Sequence, residues 1–140
     1  MVTIVVVTHG EFGAYLLEAA EMILGEQKEG VHVVGISPRT SAEKAHEMVK
    51  SAVSGQPVAD GVIFLTDILG GTPTMIAMPA AKNIEKSAVY SGVNLSMLVC
   101  ALNYRARMNF EQLTEKVLNE GKKSVCDVKA LFAASEKKAD

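Results

Sequence analysis

The sequence predicts a single α/β domain with a mainly parallel, doubly wound sheet and helices on both faces. Short apolar runs alternate along the chain with stretches of helical periodicity, which is typical of parallel sheets with right-handed crossover helices. The first run contains Ile-Val-Val-Val at residues 4–7 without a polar position, as expected of a strand that helices cover on both sides. We expect the strand order 2-1-3-4, in which strands one and three are neighbours.

Five strands and five helices are predicted. The strands lie at residues 2–7, 31–36, 62–66, 88–90 and 124–128. The helices lie at residues 12–24, 40–53, 74–83, 94–102 and 109–121.

The first strand ends at Thr8-His9-Gly10, where the pattern changes to a helical period. The first helix carries Leu17, Ala20 and Leu24 on one stripe, and such a stripe faces a core. Gly25 follows the stripe and is a typical C-terminal stop.

The second and third helices are predicted from their start signals. Thr40 and Glu43 have the spacing of a capping box, in which each side chain bonds the backbone of the other residue. Thr72 is expected to be the N-cap of the third helix, with Pro73 in the first helical position. Pro79 lies inside that helix and is expected to kink it.

The last three elements follow from caps and alternation. Asn94 is expected to cap a buried helix, and Asn109 and Gln112 to open the next one. Residues 124–128 alternate between polar and apolar, which predicts an antiparallel edge strand.

The composition of the chain is close to that of an average globular protein and favours a single domain. The chain has 140 residues, 49% hydrophobic and 21% charged, with a formal net charge of −2. We therefore expect residues 1–135 to form the domain and residues 136–140 a polar tail. A charge this small gives no basic field for nucleic acid or for an anionic membrane.

The sequence predicts a cytoplasmic protein with no cofactor or metal. Cys100 and Cys126 form no CxxC pair, so we expect two buried, reduced thiols rather than a metal site. No uncharged apolar stretch approaches the roughly 18 residues that span a bilayer, and residues 4–7 are too short for a signal core. Neither a Walker phosphate loop nor a dinucleotide fingerprint is present.

Two polar clusters follow neighbouring strands of the predicted sheet. His9 comes directly after strand one, and Asp67 directly after strand three. Chemistry in such sheets gathers beyond the carboxyl ends of the strands, so we expect the two residues to face each other. Asp67 would hold the Nδ1 side of His9 and leave Nε2 as a nucleophile, as an aspartate does beside a histidine in hydrolytic triads. The plainer interpretation is a packing or capping histidine and an aspartate that caps a turn.

The turn after Asp67 adds a possible anion site. Gly70, Gly71 and Thr72 precede the third helix, and glycines let backbone N–H groups point inward at the positive end of a helix. A plain tight turn is the commoner meaning of paired glycines. Together with His9 and Asp67, however, the turn predicts a histidine that carries a phosphoryl group without a metal ion.

These residues resemble the IIA domain of the mannose family of the bacterial sugar phosphotransferase system. The resemblance covers nearly the whole chain. It rests on Thr8-His9-Gly10, Ala20-Glu21-Met22, Gly25-Glu26-Gln27, Asp67 with Gly70-Gly71-Thr72-Pro73, and Gly92-Val93-Asn94 with Met97-Leu98.

The resemblance implies that His9 is phosphorylated, that Asp67 orients it, and that Gly70, Gly71 and Thr72 bind the phosphate. It also implies a homodimer that exchanges the edge strand at residues 124–128. The donor would be the phosphohistidine form of the carrier HPr, and the acceptor a IIB domain. The chain departs from the family pattern at Thr72, where many relatives have serine, and at Ser96, where many have proline. Residues 74–83 also match the sugar-transporting members of the family poorly.

Alternatives to sugar transport remain open. The chain could be a regulatory module whose His9 phosphorylation controls binding to a target protein, or the phosphotransferase subunit of dihydroxyacetone kinase. A flavodoxin-like binding domain and a response-regulator receiver with Asp67 as acceptor are further alternatives. A receiver needs acidic metal ligands after strand one, where this chain has Thr8-His9.

Overall fold

The computed structural model describes residues 1–139, built on a four-stranded parallel sheet. The strands are β1 (Thr3–His9), β2 (Val31–Ile36), β3 (Val62–Thr66) and β4 (Ser87–Tyr90). The helices are α1 (Phe12–Leu24), α2 (Ala42–Val53), α3 (Thr72–Lys82), α4 (Leu95–Tyr104), α5 (Phe110–Lys123) and α6 (Val128–Ala139). The strand order is β2-β1-β3-β4, which confirms the predicted order.

The sheet separates two apolar layers. Ile4 and Val6 of β1 belong to the layer that contains α1, α4 and α5, whereas Val5 and Val7 belong to the layer with α2 and α3. All four side chains are fully buried, and burying each stabilises the fold by about 1.5–3 kcal/mol. The unbroken apolar run therefore reflects a central strand covered on both faces, as predicted.

The strand register brings the ends of β1 and β3 together. Val7 pairs with Thr66 on one side of β1, and His9 pairs with Ile36 on the other. His9 and Asp67 therefore both lie at the carboxyl edge of the sheet, two residues beyond the last apolar positions of their strands.

The helix starts agree in part with the predicted caps. The side chains of Asn94 and Asn109 cap α4 and α5, and Asn109 forms a capping box with Gln112. The predicted capping box at Thr40 is wrong, because Ser41 caps α2 by accepting from the Lys44 amide. Thr40 instead bonds Ser37, which places its hydroxyl in the preceding turn.

The start of α3 also differs from the prediction. Thr72 is the first helical residue, and the N-cap is Gly71, whose φ of −75° and ψ of 167° are extended. No side chain within the described residues caps this helix, so its first-turn amides keep the unpaired donors of a helix N-terminus.

The predicted strand at residues 124–128 is wrong for the single chain. Ser124 ends α5 with helical backbone angles, and Asp127 starts α6 by accepting hydrogen bonds from the amides of Ala130 and Leu131. Local capping by Asp127 thus competes with the alternating pattern that suggested a strand. Exchange of this segment between two copies stays a prediction.

The C-terminal helix lies apart from the core. Residues 128–138 are all exposed, and α6 includes residues 136–139, which were expected to form a tail. Asp140 lies outside the described residues, and the domain boundary at residue 135 stays a prediction. Cys100 is buried as expected, but Cys126 is exposed because it lies in the link to α6. Within residues 1–139, no helix is both long and apolar enough to cross a membrane.

Candidate functional site

The site is centred on a bonded pair of side chains, His9 and Asp67. The ring Nδ1 of His9 lies 2.8 Å from Oδ2 of Asp67. The backbone N–H of His9 donates to the same oxygen, also at 2.8 Å. The structure thus brings together the two residues that the sequence placed at neighbouring strand ends.

Asp67 is held more firmly than His9. The Asp67 side chain is 9% exposed and the His9 side chain 53% exposed. The amide of Ile68 donates to Oδ1 of Asp67 at 2.8 Å. The carboxylate therefore accepts on both oxygens, while the imidazole keeps access to solvent.

Partial burial raises the pKa of Asp67, but hydrogen bonds reverse that effect. The His9 amide, the His9 ring and the Ile68 amide all favour the ionised carboxylate, and the pKa of Asp67 lies below its ordinary value. An ionised carboxylate only accepts hydrogen bonds, so Nδ1 of His9 must carry a proton. In a neutral ring this leaves the lone pair on Nε2, which is the nitrogen that can attack an electrophile.

The glycine turn borders the His9 ring. Gly70 has a φ of +76°, which favours glycine. A Cβ on Gly71 would lie 3.3 Å from Cε1 of His9, the carbon between the two ring nitrogens. Gly71 therefore allows close approach of the ring to the turn.

The predicted anion nest needs one correction. The amide of Gly71 donates to the carbonyl of Ile68 at 3.0 Å, so it closes the turn and does not point at a ligand. Thr72 is exposed at the start of α3. The uncapped first turn of that helix still presents donors at its positive end, which suits a negatively charged group.

The structure also shows supporting residues that sequence reasoning missed. Oγ1 of Thr74 donates to the carbonyl of Ile68 at 3.0 Å and lies 2.7 Å from Oγ1 of Thr66. On the other side, the amide of Gly92 donates to the carbonyl of Asp67 at 2.8 Å. The only signal in the sequence was the Gly92 motif in the resemblance, since the two threonines meet only through folding.

Four exposed apolar side chains, here called the apolar rim, lie in segments that follow the ends of β1 and β3. Phe12 lies at the start of α1, Ile68 and Leu69 lie in the turn after Asp67, and Met75 lies in the first turn of α3. All four side chains are exposed. Exposed apolar patches are typical of surfaces that bind other proteins.

Fold and site together define a doubly wound α/β protein with an exposed histidine bonded to an aspartate at the carboxyl edge of its sheet. A family model described as "PTS system fructose IIA component" matches residues 3–118. The chain therefore belongs to this family of IIA components of the sugar phosphotransferase system, and its class is that of a phosphoryl carrier. This confirms the resemblance drawn from the sequence.

Individual relatives agree with the family. The chain is 35% identical over 130 residues to the PTS system mannose-specific EIIAB component of Escherichia coli (strain K12), with 92% of this chain covered. It spans about 40% of the length of that relative. It is 30% identical over 131 residues to the PTS system fructose-specific EIIA component of Bacillus subtilis (strain 168), covering 90% of this chain and 87% of the relative.

A solved structure of the same type superimposes closely. Phosphotransferase system component EIIA from Streptococcus agalactiae aligns with a TM-score of 0.84 at 28% identity, covering 93% of this chain and 99% of the other. The IIA protein associated with the fucose utilization operon of Streptococcus pneumoniae aligns with a TM-score of 0.79 at 26% identity.

Proposed function

We propose that His9 is the residue that accepts a phosphoryl group from phospho-HPr and passes it to a IIB domain for coupled sugar uptake. The observation that carries the proposal is the 2.8 Å bond between His9 Nδ1 and Asp67 in a ring that is 53% exposed. The bond fixes which nitrogen is free, and the exposure lets two different proteins reach it.

The transfer needs only the residues at this edge of the sheet. The bond between phosphorus and the donor imidazole nitrogen breaks as a bond forms between phosphorus and Nε2 of His9, and the donor nitrogen keeps the electron pair. The His9 ring becomes positively charged because Nδ1 keeps its proton, and the carboxylate of Asp67 stabilises that charge. In the second step the acceptor nitrogen attacks the same phosphorus, and Nε2 leaves with its electron pair.

The phosphoryl oxygens would lie against the glycine turn. We place them at the first turn of α3, with Gly70 and Thr72 as the nearest donors and Gly71 giving the ring its space. The positive end of a helix favours this charge in both the phosphorylated state and the transition state.

The apolar rim is the surface that we expect the protein partners to contact. Phe12, Ile68, Leu69 and Met75 offer a surface that a phosphocarrier or a IIB domain would cover, and covering it would exclude water during transfer. A homodimer and a cytoplasmic location, both expected from the sequence, belong to this proposal as well.

The second candidate, a regulatory module, uses the same site with another acceptor. Its phosphorylation state would control binding to a target protein. The resemblance drawn from the sequence supports this candidate, because residues 74–83 were expected to match sugar-transporting members poorly. Adding a purified IIB domain separates the two, because only the transport carrier loses its phosphate to that domain.

The decisive experiment is phosphorylation with purified components. The chain is incubated with phosphoenolpyruvate, enzyme I and HPr, and acid-labile phosphate is mapped. We expect one phosphate per chain on His9, no label in His9→Ala, and normal label in His46→Ala, which changes an exposed histidine on α2. Normal labelling of folded His9→Ala would end the proposal.

A further inference from the structure

Behind the turn that follows Asp67 lies a short chain of buried hydroxyl groups. Thr66 is fully buried at the end of β3, and Thr74 is 9% exposed in the first turn of α3. Their Oγ1 atoms are 2.7 Å apart, and Oγ1 of Thr74 is 3.0 Å from the carbonyl oxygen of Ile68.

The direction of these hydrogen bonds follows from the number of protons. A carbonyl oxygen can only accept, so Thr74 donates its single hydroxyl proton to Ile68. Thr66 must then donate to Thr74. The chain runs one way, from Thr66 through Thr74 to Ile68, and buried hydroxyls in series strengthen one another.

Ile68 connects this chain to the site. Its carbonyl also accepts from the amide of Gly71 at 3.0 Å, and its own amide donates to Oδ1 of Asp67 at 2.8 Å. Through its two successive peptide groups, Ile68 therefore helps to set the orientation of the carboxylate and closes the turn whose Gly71 borders the His9 ring.

We propose that Thr74, supported by Thr66, is a positioning residue for phosphoryl transfer. Its hydroxyl fixes the Ile68 carbonyl, and through it the Asp67 carboxylate that holds Nδ1 of His9. The proposal rests on His9 being the phosphoryl acceptor. Valine at position 74 would remove one of the two donors to the Ile68 carbonyl and would deprive the fully buried Thr66 hydroxyl of its partner. The turn and the carboxylate would then lose part of their fixed geometry.

The test compares three variants at stability-matched temperatures. Thr74→Val removes the donor at nearly constant volume, and Thr74→Ser restores it. Thr3→Val is the control, because Thr3 is also a buried threonine but lies at the other end of β1, about 20 Å from His9. Two quantities are measured: the rate of phosphorylation over a range of phospho-HPr concentrations, and the ¹⁵N and Nδ1–H signals of the His9 ring.

We expect Thr74→Val to lower the rate at saturating phospho-HPr by about tenfold or more, as a misplaced catalytic group does. The KM should stay near that of the unchanged protein, since the apolar rim is intact. The Nδ1–H proton of His9 should exchange faster with water. Thr74→Ser should approach the unchanged protein, and Thr3→Val should match it in both measurements.

An unchanged rate and ring signal in Thr74→Val would overturn the proposal, and so would equal losses in Thr74→Val and Thr3→Val, which would indicate a stability effect alone. If Thr74→Val does not fold, Thr66→Val takes its place, with a smaller loss expected because Thr74 can still donate to Ile68. If the unchanged protein is not phosphorylated at His9, the proposed function fails. The ring signals then still decide whether Thr74 positions the pair.

Discussion

At the scale of single residues, the site consists of a hydrogen-bonded pair, His9 and Asp67, and of the threonine hydroxyls behind it. The position of this pair could be predicted because His9 ends β1, Asp67 directly follows β3, and parallel strands end at one edge of the sheet. Thr74 could not be found, since its partners Thr66 and Ile68 depend on how the turn folds back on β3. The hydrogen bond from the Gly71 amide to the Ile68 carbonyl, which closes the turn, could not be predicted for the same reason.

The carboxylate of Asp67 should make stability depend on pH in one direction. Its pKa in the folded protein is lowered by hydrogen bonds, so the unfolded chain binds this proton more readily than the folded protein does. The stabilisation is therefore present above the ordinary aspartate pKa of about 3.9 and is lost as the pH falls through the lower folded pKa. Asp67→Asn removes the ionisable group and this pH-dependent contribution.

Urea unfolding of the unchanged protein and Asp67→Asn between pH 7 and pH 2.5 tests this expectation. The difference in the free energy of unfolding between them should shrink as the pH falls below about pH 4. A difference that keeps the same size down to pH 2.5 would show that the carboxylate does not gain from its hydrogen bonds.

At the scale of secondary structure elements, the residues that start a helix were predicted correctly where only one side chain was available as the N-cap. Asn109 and Gln112 were expected to open a helix, and they open α5 as a capping box. At α2 two neighbouring hydroxyl residues were available, and Ser41 caps the helix while Thr40 bonds Ser37. The choice between such neighbours depends on the path of the preceding turn, which sequence spacing does not specify.

The capping box at α5 should contribute measurably to stability. Asn109→Ala removes the acceptor for the Gln112 amide, which lies 2.9 Å away, and should lower the free energy of unfolding by about 1 kcal/mol. Asn119→Ala, at an exposed position inside the same helix, should be neutral or slightly stabilising because alanine is the better helix former. Urea denaturation, fitted with one m-value for all chains, measures the free energy of unfolding of both variants. Equal stabilities for the two would contradict the capping role.

At the scale of the whole molecule, the sheet was predictable and the C-terminus was not. Continuous apolar runs indicate buried strands, and their alternation with helices restricts the topology to few choices. Residues 124–128 carry an alternating pattern that fits a strand, but a strand needs a partner, and within residues 1–139 this segment pairs with no strand. The local cap at Asp127 then decides the conformation.

The exposed C-terminal segment leads to a prediction about assembly. Val125, Val128, Leu131 and Phe132 are all exposed, with Val125 at 83%, and residues 128–138 are exposed throughout. Removing residues 124–140 should therefore cost the single-chain fold little, since few of their apolar groups are buried. If two copies cover these side chains, the same truncation should remove the driving force for association.

Sedimentation velocity and thermal unfolding over a hundredfold concentration range examine this. The full chain should sediment as a dimer, with a Tm that rises with concentration because association stabilises the folded state. A chain ending at residue 123 should sediment as a monomer, with a Tm independent of concentration. The double variant Lys137→Ala, Lys138→Ala keeps the apolar residues and should remain dimeric. A truncated chain that still dimerises would place the interface elsewhere, and a large fall in its monomer stability would show that the segment packs on its own domain.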